Sequence, residues 1–229
     1  MRTSIRPVIA ALACTLLATA ARAEEIRVLS SVGIKTVIDV LGPQFEQKTK
    51  HKVTTVFDLA GVLKTRIEGG EPFDVAILTA PMVDELVSKG KISAATRTDV
   101  ARVGLGLMIR AGAPKPDVST VEAFRKRLVG AKSITYVTTG ASGVAFLAII
   151  DKMGIAEAIK AKATPAANGD QVNANILNGT AEFAVLPVSE ILPVKGAALG
   201  GVFPSAVQTY IVMAAGVNAN AKSMVGREF

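Results

Sequence analysis

One stretch near the start of the chain, Ile26 to Val56 (IRVLSSVGIKTVIDVLGPQFEQKTKHKVTTV), constrains the fold more than any other. Ile26, Val28 and Leu29 form a short apolar run that Ser30 and Ser31 interrupt. Ile34, Val37, Ile38, Leu41 and Phe45 then recur at helical spacing, and Val53 and Val56 open a second β-rich run. The pattern is strand, serine turn, helix, strand. A serine at the end of a parallel strand stands where the next helix begins. Its hydroxyl can cap that helix, and the free backbone N–H groups of the first turn point outward. Such a place holds anionic or polar groups without a charged side chain. Ser30 and Ser31 are therefore expected to form one wall of a ligand cleft. Gly42-Pro43 in the middle of the helix predicts a kink.

The same alternation continues. Phe57 to Gly61 (FDLAG) reads as a second strand-to-helix turn, with Leu63 and Ile67 on one helix face and Gly69-Gly70 as the stop. Phe73 to Leu78 reads as a strand. Met82, Val83, Leu86 and Val87 mark the next helix, ending at Gly90, and Val100 to Ile109 reads as a long strand. A second βα series starts near Pro114-Lys115-Pro116. Ser119-Thr120-Val121-Glu122 predicts a capping box opening a helix through Leu128. Ser133 to Val137 reads as a strand, followed by the turn Thr138 to Gly143 and an apolar helix to Met153. Helices are predicted over 155–162 and 170–177, and strands over 182–186, 198–203 and 208–215. Asn218 or Asn220 is placed to cap a final helix. Strands alternating with helices imply an α/β fold with parallel sheet flanked by helices.

Residues 1–23 stand apart. Arg2 and Arg6 form a basic start, Pro7 to Ala21 is an uncharged, mostly apolar run, and Ala21-Arg22-Ala23 is an A-x-A cleavage pattern. This reads as a secretory leader cut before Glu24. A retained anchor is the alternative, but the run falls short of the roughly 20 residues that span a bilayer. The single cysteine, Cys14, lies inside the leader, so the mature chain is expected to hold no disulfide. Loss of Arg2, Arg6 and Arg22 reduces the formal charge from +7 to +4. The densest basic cluster, Lys48, Lys50, His51 and Lys52, falls at a helix end, where it suits the helix dipole and is expected to face water. Without aromatic interleaving or a binding motif, nucleic-acid binding is not expected. The final helix would carry Met224, Val225 and Phe229 with nothing after them to complete its packing, so either a longer natural product or an unstable chain is expected.

Catalytic patterns are missing. His51 is the only histidine and is expected to be solvated. Gly140-Ala141-Ser142-Gly143 lacks the last glycine of a nucleophile elbow, since Val144 stands there. No set of residues suits a transition metal, a P-loop is absent, and nothing pairs Asp58, Asp74 or Asp170 as acid and base. No catalytic residue, metal or cofactor is expected. What remains are three strand-to-helix turns rich in small polar or flexible residues: Ser30-Ser31, Leu59-Ala60-Gly61 and Thr138 to Gly143. In open parallel sheets, ligands bind beyond the carboxyl ends of the strands, where these turns lie.

The leader, VLSSVGIKTVIDVLGPQFE, the turn before LKTRIEGGEPFDVAIL, the helix MVDELVSKGKI and the later ILNGTAEFAVLPVSEI together resemble the periplasmic molybdate-binding proteins. These are solute receptors of ABC transporters. The resemblance implies a two-lobed type II periplasmic-binding fold, each lobe a mostly parallel sheet flanked by helices. Carried over residue by residue, it puts a ligand-binding serine on Ser31. A second serine position falls on Ala60 and a tyrosine position on Pro187, so two hydroxyls are missing. Backbone contacts fall on Ser142 and near Gly169. Ser30, Thr138, Thr139 or backbone N–H groups such as that of Gly61 are candidates to replace the lost donors.

The resulting expectation is a monomeric, periplasmic receptor with lobe one at 24–104 plus 207–229 and lobe two at 105–206, hinged near Val103-Gly104 and Ser205-Ala206. It would capture a small anion, molybdate or a related oxyanion, and deliver it to an inner-membrane permease without chemistry. A small organic acid as ligand, a sensor or adaptor of the same fold, and a secreted hydrolase are the alternatives.

Overall fold

The computed structural model describes residues 23–221 and 225–229. The expected leader through Arg22, with Cys14, lies outside the described residues, as does Met224. Among the described residues, no helix is long and apolar enough to cross a membrane.

The chain opens with β1 (Glu25–Ser31), a 3-10 turn (Val32–Ile34) and α1 (Lys35–Thr49). There follow β2 (Lys52–Asp58), α2 (Ala60–Glu68), β3 (Val75–Thr79) and α3 (Ala80–Ser88). After a second 3-10 turn (Ala94–Thr96) comes β4 (Thr98–Arg110), then α4 (Val121–Gly130), β5 (Ile134–Val137), α5 (Ala141–Lys152) and α6 (Ala156–Lys160). The last part comprises β6 (Ala163–Ala166), α7 (Gly169–Leu177), β7 (Phe183–Pro187), α8 (Val188–Ile191), β8 (Ala197–Val202) and β9 (Tyr210–Val217).

Strand order is β2-β1-β3-β9-β4-β7-β5-β6, with β8 paired to β4 off this path. Pairing is parallel for β1 with β2 and β3, and for β5 with β6 and β7. The two long central strands, β4 and β9, run antiparallel to their neighbours. β4 joins the two parts: it pairs with β9 up to Gly104, opposite Tyr210, and with β7 from Leu105, opposite Pro187.

Period-two alternation explains the layers. On one face of the first sheet, Ile26, Val28, Val75, Ile77 and Met213 pack with Ile34 and Ile38 of the α1 side. On the other, Leu29, Ala76, Leu78 and Ala214 pack under Leu63 and Ile67 of α2 and Val83 and Leu86 of α3. The second sheet repeats this. Leu105, Leu107, Ile134, Tyr136 and Val185 meet α4, α5 and α6, while Met108, Val137, Ala184 and Leu186 meet α7 and Ile191 of α8. At about 25 cal/mol per Å² of apolar surface, both faces of both sheets contribute to stability.

α1 carries Pro43 inside it, at the place where the kink is expected. Several other local expectations need correction. The cap of α4 is Thr120, whose hydroxyl accepts the Ala123 N–H at 3.1 Å, while Ser119 is held by Asp117. His51 is buried, not solvated: Lys50 adopts φ 68° and turns the chain back, so that the His51 ring lies over Phe45 and its Nδ1 accepts the Glu24 N–H at 3.0 Å. Strand β6 was not expected; it is short, lies at the sheet edge, and carries Pro165, which edge strands tolerate. The expected final helix falls partly on 222–224, outside the described residues. Beyond them Val225–Arg227 forms a single 3-10 turn. Val225 is buried and Phe229 meets Phe45 edge-on at 5.2 Å, so neither is left exposed as expected; the turn folds back onto α1.

Candidate functional site

The carboxyl ends of β1, β3, β5 and β7 point at one place between the two sheets. A cavity of about 40 Å³ opens there, roughly three times the volume that holds one water. Its walls are the starts of helices. Ser31, Val32 and Gly33 come from the turn after β1, and Leu59 and Ala60 from the start of α2. Thr79 precedes α3, and Gly140, Ala141 and Ser142 open α5. Gly169 is the first residue of α7, Pro187 is the N-cap of α8, and Glu190 lies within α8. First-turn N–H groups have no partner within their helix, and each helix end carries about half a positive charge. The remaining lining is apolar, from Val103, Val137, Leu186, Ile211 and Met213.

Ser31, Ala60, Ser142, Gly169 and Pro187, named from the sequence, thus come together around one cavity. Ser31 is buried, and its Oγ accepts the Gly33 N–H at 3.4 Å. Ser142 is buried in the first turn of α5. Four other candidates are not among the lining residues. Ser30 precedes Ser31 on the strand, so its side chain points to the opposite face; it is fully buried and donates to the Ser31 carbonyl at 3.3 Å. Thr138 and Thr139 are exposed on the outer side of their turn. Gly61 lies one residue further into α2, on the side of Met82. The turn before α5 is set by close packing: a Cβ on Gly143 would fall 1.8 Å from the Val137 carbonyl oxygen.

Sequence reasoning missed Glu190. Among the described residues it is the one ionisable residue lining the cavity. It is half-buried, and burial pushes its carboxyl up to about 7. Its neighbour Ser189 donates to the Gly33 carbonyl at 2.8 Å, holding α8 against the turn after β1. The segment Pro187-Val188-Ser189-Glu190 contains no pattern that singles out its glutamate; only its position after a buried strand end, where ligands gather, points to it. Outside the cavity a wider groove carries Lys35, Asp39, Asp58 and Asp170. Among the described residues, no group of three or more His, Cys, Asp or Glu could hold a metal ion.

Residues 26–229 match the family described as bacterial extracellular solute-binding protein. Among curated relatives, the aconitate isomerase of a Pseudomonas species is 31% identical over 205 residues, covering 86% of this chain and 77% of that protein. The molybdate-binding protein of Azotobacter vinelandii is 29% identical over 192 residues, covering 83% and 75%. The solved structure of the periplasmic molybdate-binding protein of Azotobacter vinelandii superposes with a TM-score of 0.71 at 18% identity, over 89% of each chain. That likeness concerns the fold: two sheets with helices on both faces, joined through their central strands.

Proposed function

The chain belongs to the bacterial extracellular solute-binding protein family, and on that premise we propose that it is the periplasmic receptor of an ABC transporter, capturing a small anion in the cleft and handing it to an inner-membrane permease. The observation that carries this reading is the convergence of helix starts from both sheets, with the buried hydroxyls of Ser31 and Ser142, on one cavity. Such a place offers several fixed donors to an anion and excludes water. In this reading lobe one is 24–104 plus 207–229 and lobe two is 105–206. The change of β4 partner between Gly104 and Leu105 and the turn between β8 and β9 support hinges at those points. Export by the leader and action as a monomer belong to the same proposal.

Two ligand classes fit a small anion. Molybdate and related oxyanions agree with the Azotobacter relative's name. A small organic acid is favoured by two features of the cavity: Ala60 and Pro187 contribute no hydroxyl, and Glu190 adds a carboxyl. The name of the Pseudomonas relative points to the same class. Capture without chemistry remains the proposed activity.

Calorimetry with molybdate, tungstate, sulfate and trans-aconitate tests the site. A hydrogen bond to a charged ligand contributes roughly 1.5–3 kcal/mol, so Ser31→Ala should weaken the binding of whichever anion is held by about tenfold to a hundredfold. Ala60→Ser should strengthen oxyanion binding if an oxyanion is the ligand. Nanomolar binding that Ser31→Ala leaves unchanged would refute the placement. Conversion of trans-aconitate to another isomer on incubation would refute binding without chemistry.

A further inference from the structure

Glu190 projects into the space between the two walls of the cleft. A Cβ built on Gly33 would lie 3.6 Å from its Oε1, and one built on Gly169 would lie 3.5 Å from its Oε2. The carboxyl thus lies directly against both glycines, where the turn after β1 faces the start of α7. No cation is free to meet it among the described residues. Lys35 of α1 is engaged by Asp39 at 2.7 Å and lies 4.5 Å over the Phe57 ring. Asp58, before α2, accepts the Leu59 N–H at 2.8 Å and stands 3.6 Å from Arg66. Asp170 of α7 adds another negative charge at the mouth, and the start of α5 brings only the Ser142 hydroxyl.

Charge bookkeeping then limits the ligand. The starts of α2, α3, α5 and α7, at about half a charge each, offset roughly two negative charges. A dianion beside an ionised Glu190 brings three, and a tricarboxylate brings four. Two acidic groups in contact and shielded from water do not both ionise; they share a proton. A carboxylate only accepts hydrogen bonds, whereas a carboxylic acid donates one.

We propose that Glu190 is the ligand-selecting residue of the cleft, sharing one proton with the bound anion. The site then favours anions whose carboxylates are basic enough to share that proton over anions of strong acids, such as sulfate, whose oxygens hold a proton poorly. No bond other than that to the shared proton is made or broken. The inference rests on the anion-receptor reading above and names the ligand class of the same site. The upward shift of the Glu190 carboxyl by burial agrees with it.

The test is calorimetry of trans-aconitate and sulfate with wild type and Glu190→Gln at about pH 5.5 and about pH 8.5, either side of the titration. It is repeated in buffers of different ionisation heat to count protons. In wild type, aconitate should bind at least about tenfold more weakly at the higher pH, with uptake of about one proton per site. Sulfate should bind weakly or not at all. Glu190→Gln should show the same affinity within about twofold at both pH values once the ligand's own titration, common to both proteins, is subtracted. If Glu190→Gln does not fold, the proton count in wild type and the carbon-13 resonance of the titrating glutamate decide. Binding of either probe with no proton uptake and no pH dependence overturns the proton sharing and leaves the receptor reading intact. Sulfate bound more tightly than aconitate at the higher pH overturns the selectivity. No binding of either probe by either protein overturns this inference; if molybdate and tungstate also fail to bind, the anion reading falls with it.

Discussion

Glu71, on the rim beyond α2, and Glu190, in the cleft, are both half-buried carboxylates that titrate in opposite directions. Glu71 receives Arg66 Nε at 2.5 Å and Nη2 at 2.8 Å, and Arg27 Nη2 at 2.8 Å. The two guanidinium groups, Arg66 foremost, hold its carboxyl down at about 2. Glu190 has burial without a cation among the described residues, and burial drives it up to about 7. Partial burial therefore does not set the sign; the partner does. The rim carboxylate ties β1 to the end of α2. Among the described residues the cleft carboxylate has no protein cation beside it, as a group that meets a ligand would.

The largest expected effect would break the comparison from the cleft side. Gly143→Ala puts a methyl group into the Val137 carbonyl oxygen, so α5 must move off β5. Overpacking against backbone costs about 3 kcal/mol or more, which thermal unfolding would register as a loss of several degrees. The displaced wall would admit water, and Glu190 should titrate nearer the ordinary carboxylate range. A variant that melts like wild type, with Glu190 unmoved, would show that α5 does not shape the cavity.

A smaller effect sharpens the comparison directly. Because the folded carboxyl of Glu190 titrates at about 7, above the ordinary 4.5, folding favours its protonated form. Wild-type stability is then full below about pH 4.5 and falls as pH rises to about 7. Glu190→Gln removes that loss. With a solvent-touching carboxyl discounting the shift, the variant should gain about 1 kcal/mol above pH 7, or about 2–4 °C in Tm. Below pH 4.5 that gain should vanish. A gain of equal size at low pH would point to packing rather than titration.

The smallest effect lies on the rim and has the opposite sign. Glu71 titrates below the ordinary value, so its contribution is present above about pH 4.5 and lost as pH falls through about 2. Glu71→Gln should therefore be less stable than wild type at neutral pH and indistinguishable from it in strong acid. High salt should narrow the difference, since the pair is screened. Equal melting of the two proteins at neutral pH would show that the arginines gain nothing from this carboxylate.

Much of the fold was legible because its signals are local. Ile26, Val28 and Leu29 before Ser30-Ser31 announce a strand that ends in a helix start, and the structure has β1, a 3-10 turn and α1 there. Ser31, Ala60 and Ser142 lie in strand-to-helix turns that local signals single out, whereas Gly169 and Pro187 come only from the family resemblance; all five line the cavity. Ser30 and Thr139 share that composition but not that direction. One residue along a strand reverses the side chain, and one step around a turn exposes it.

By itself the sequence determined the alternation of strands and helices, and the division of apolar residues between the two faces of each sheet, because both follow from periods of two and 3.6 residues along the chain. Tertiary structure alone decided three things. β4 changes partners between Gly104 and Leu105. His51 turns inward behind the left-handed Lys50. Glu190 meets Gly33 and Gly169. Each depends on segments distant in sequence arriving at one place, and the dielectric and charge around a side chain are set there, not by its neighbours along the chain.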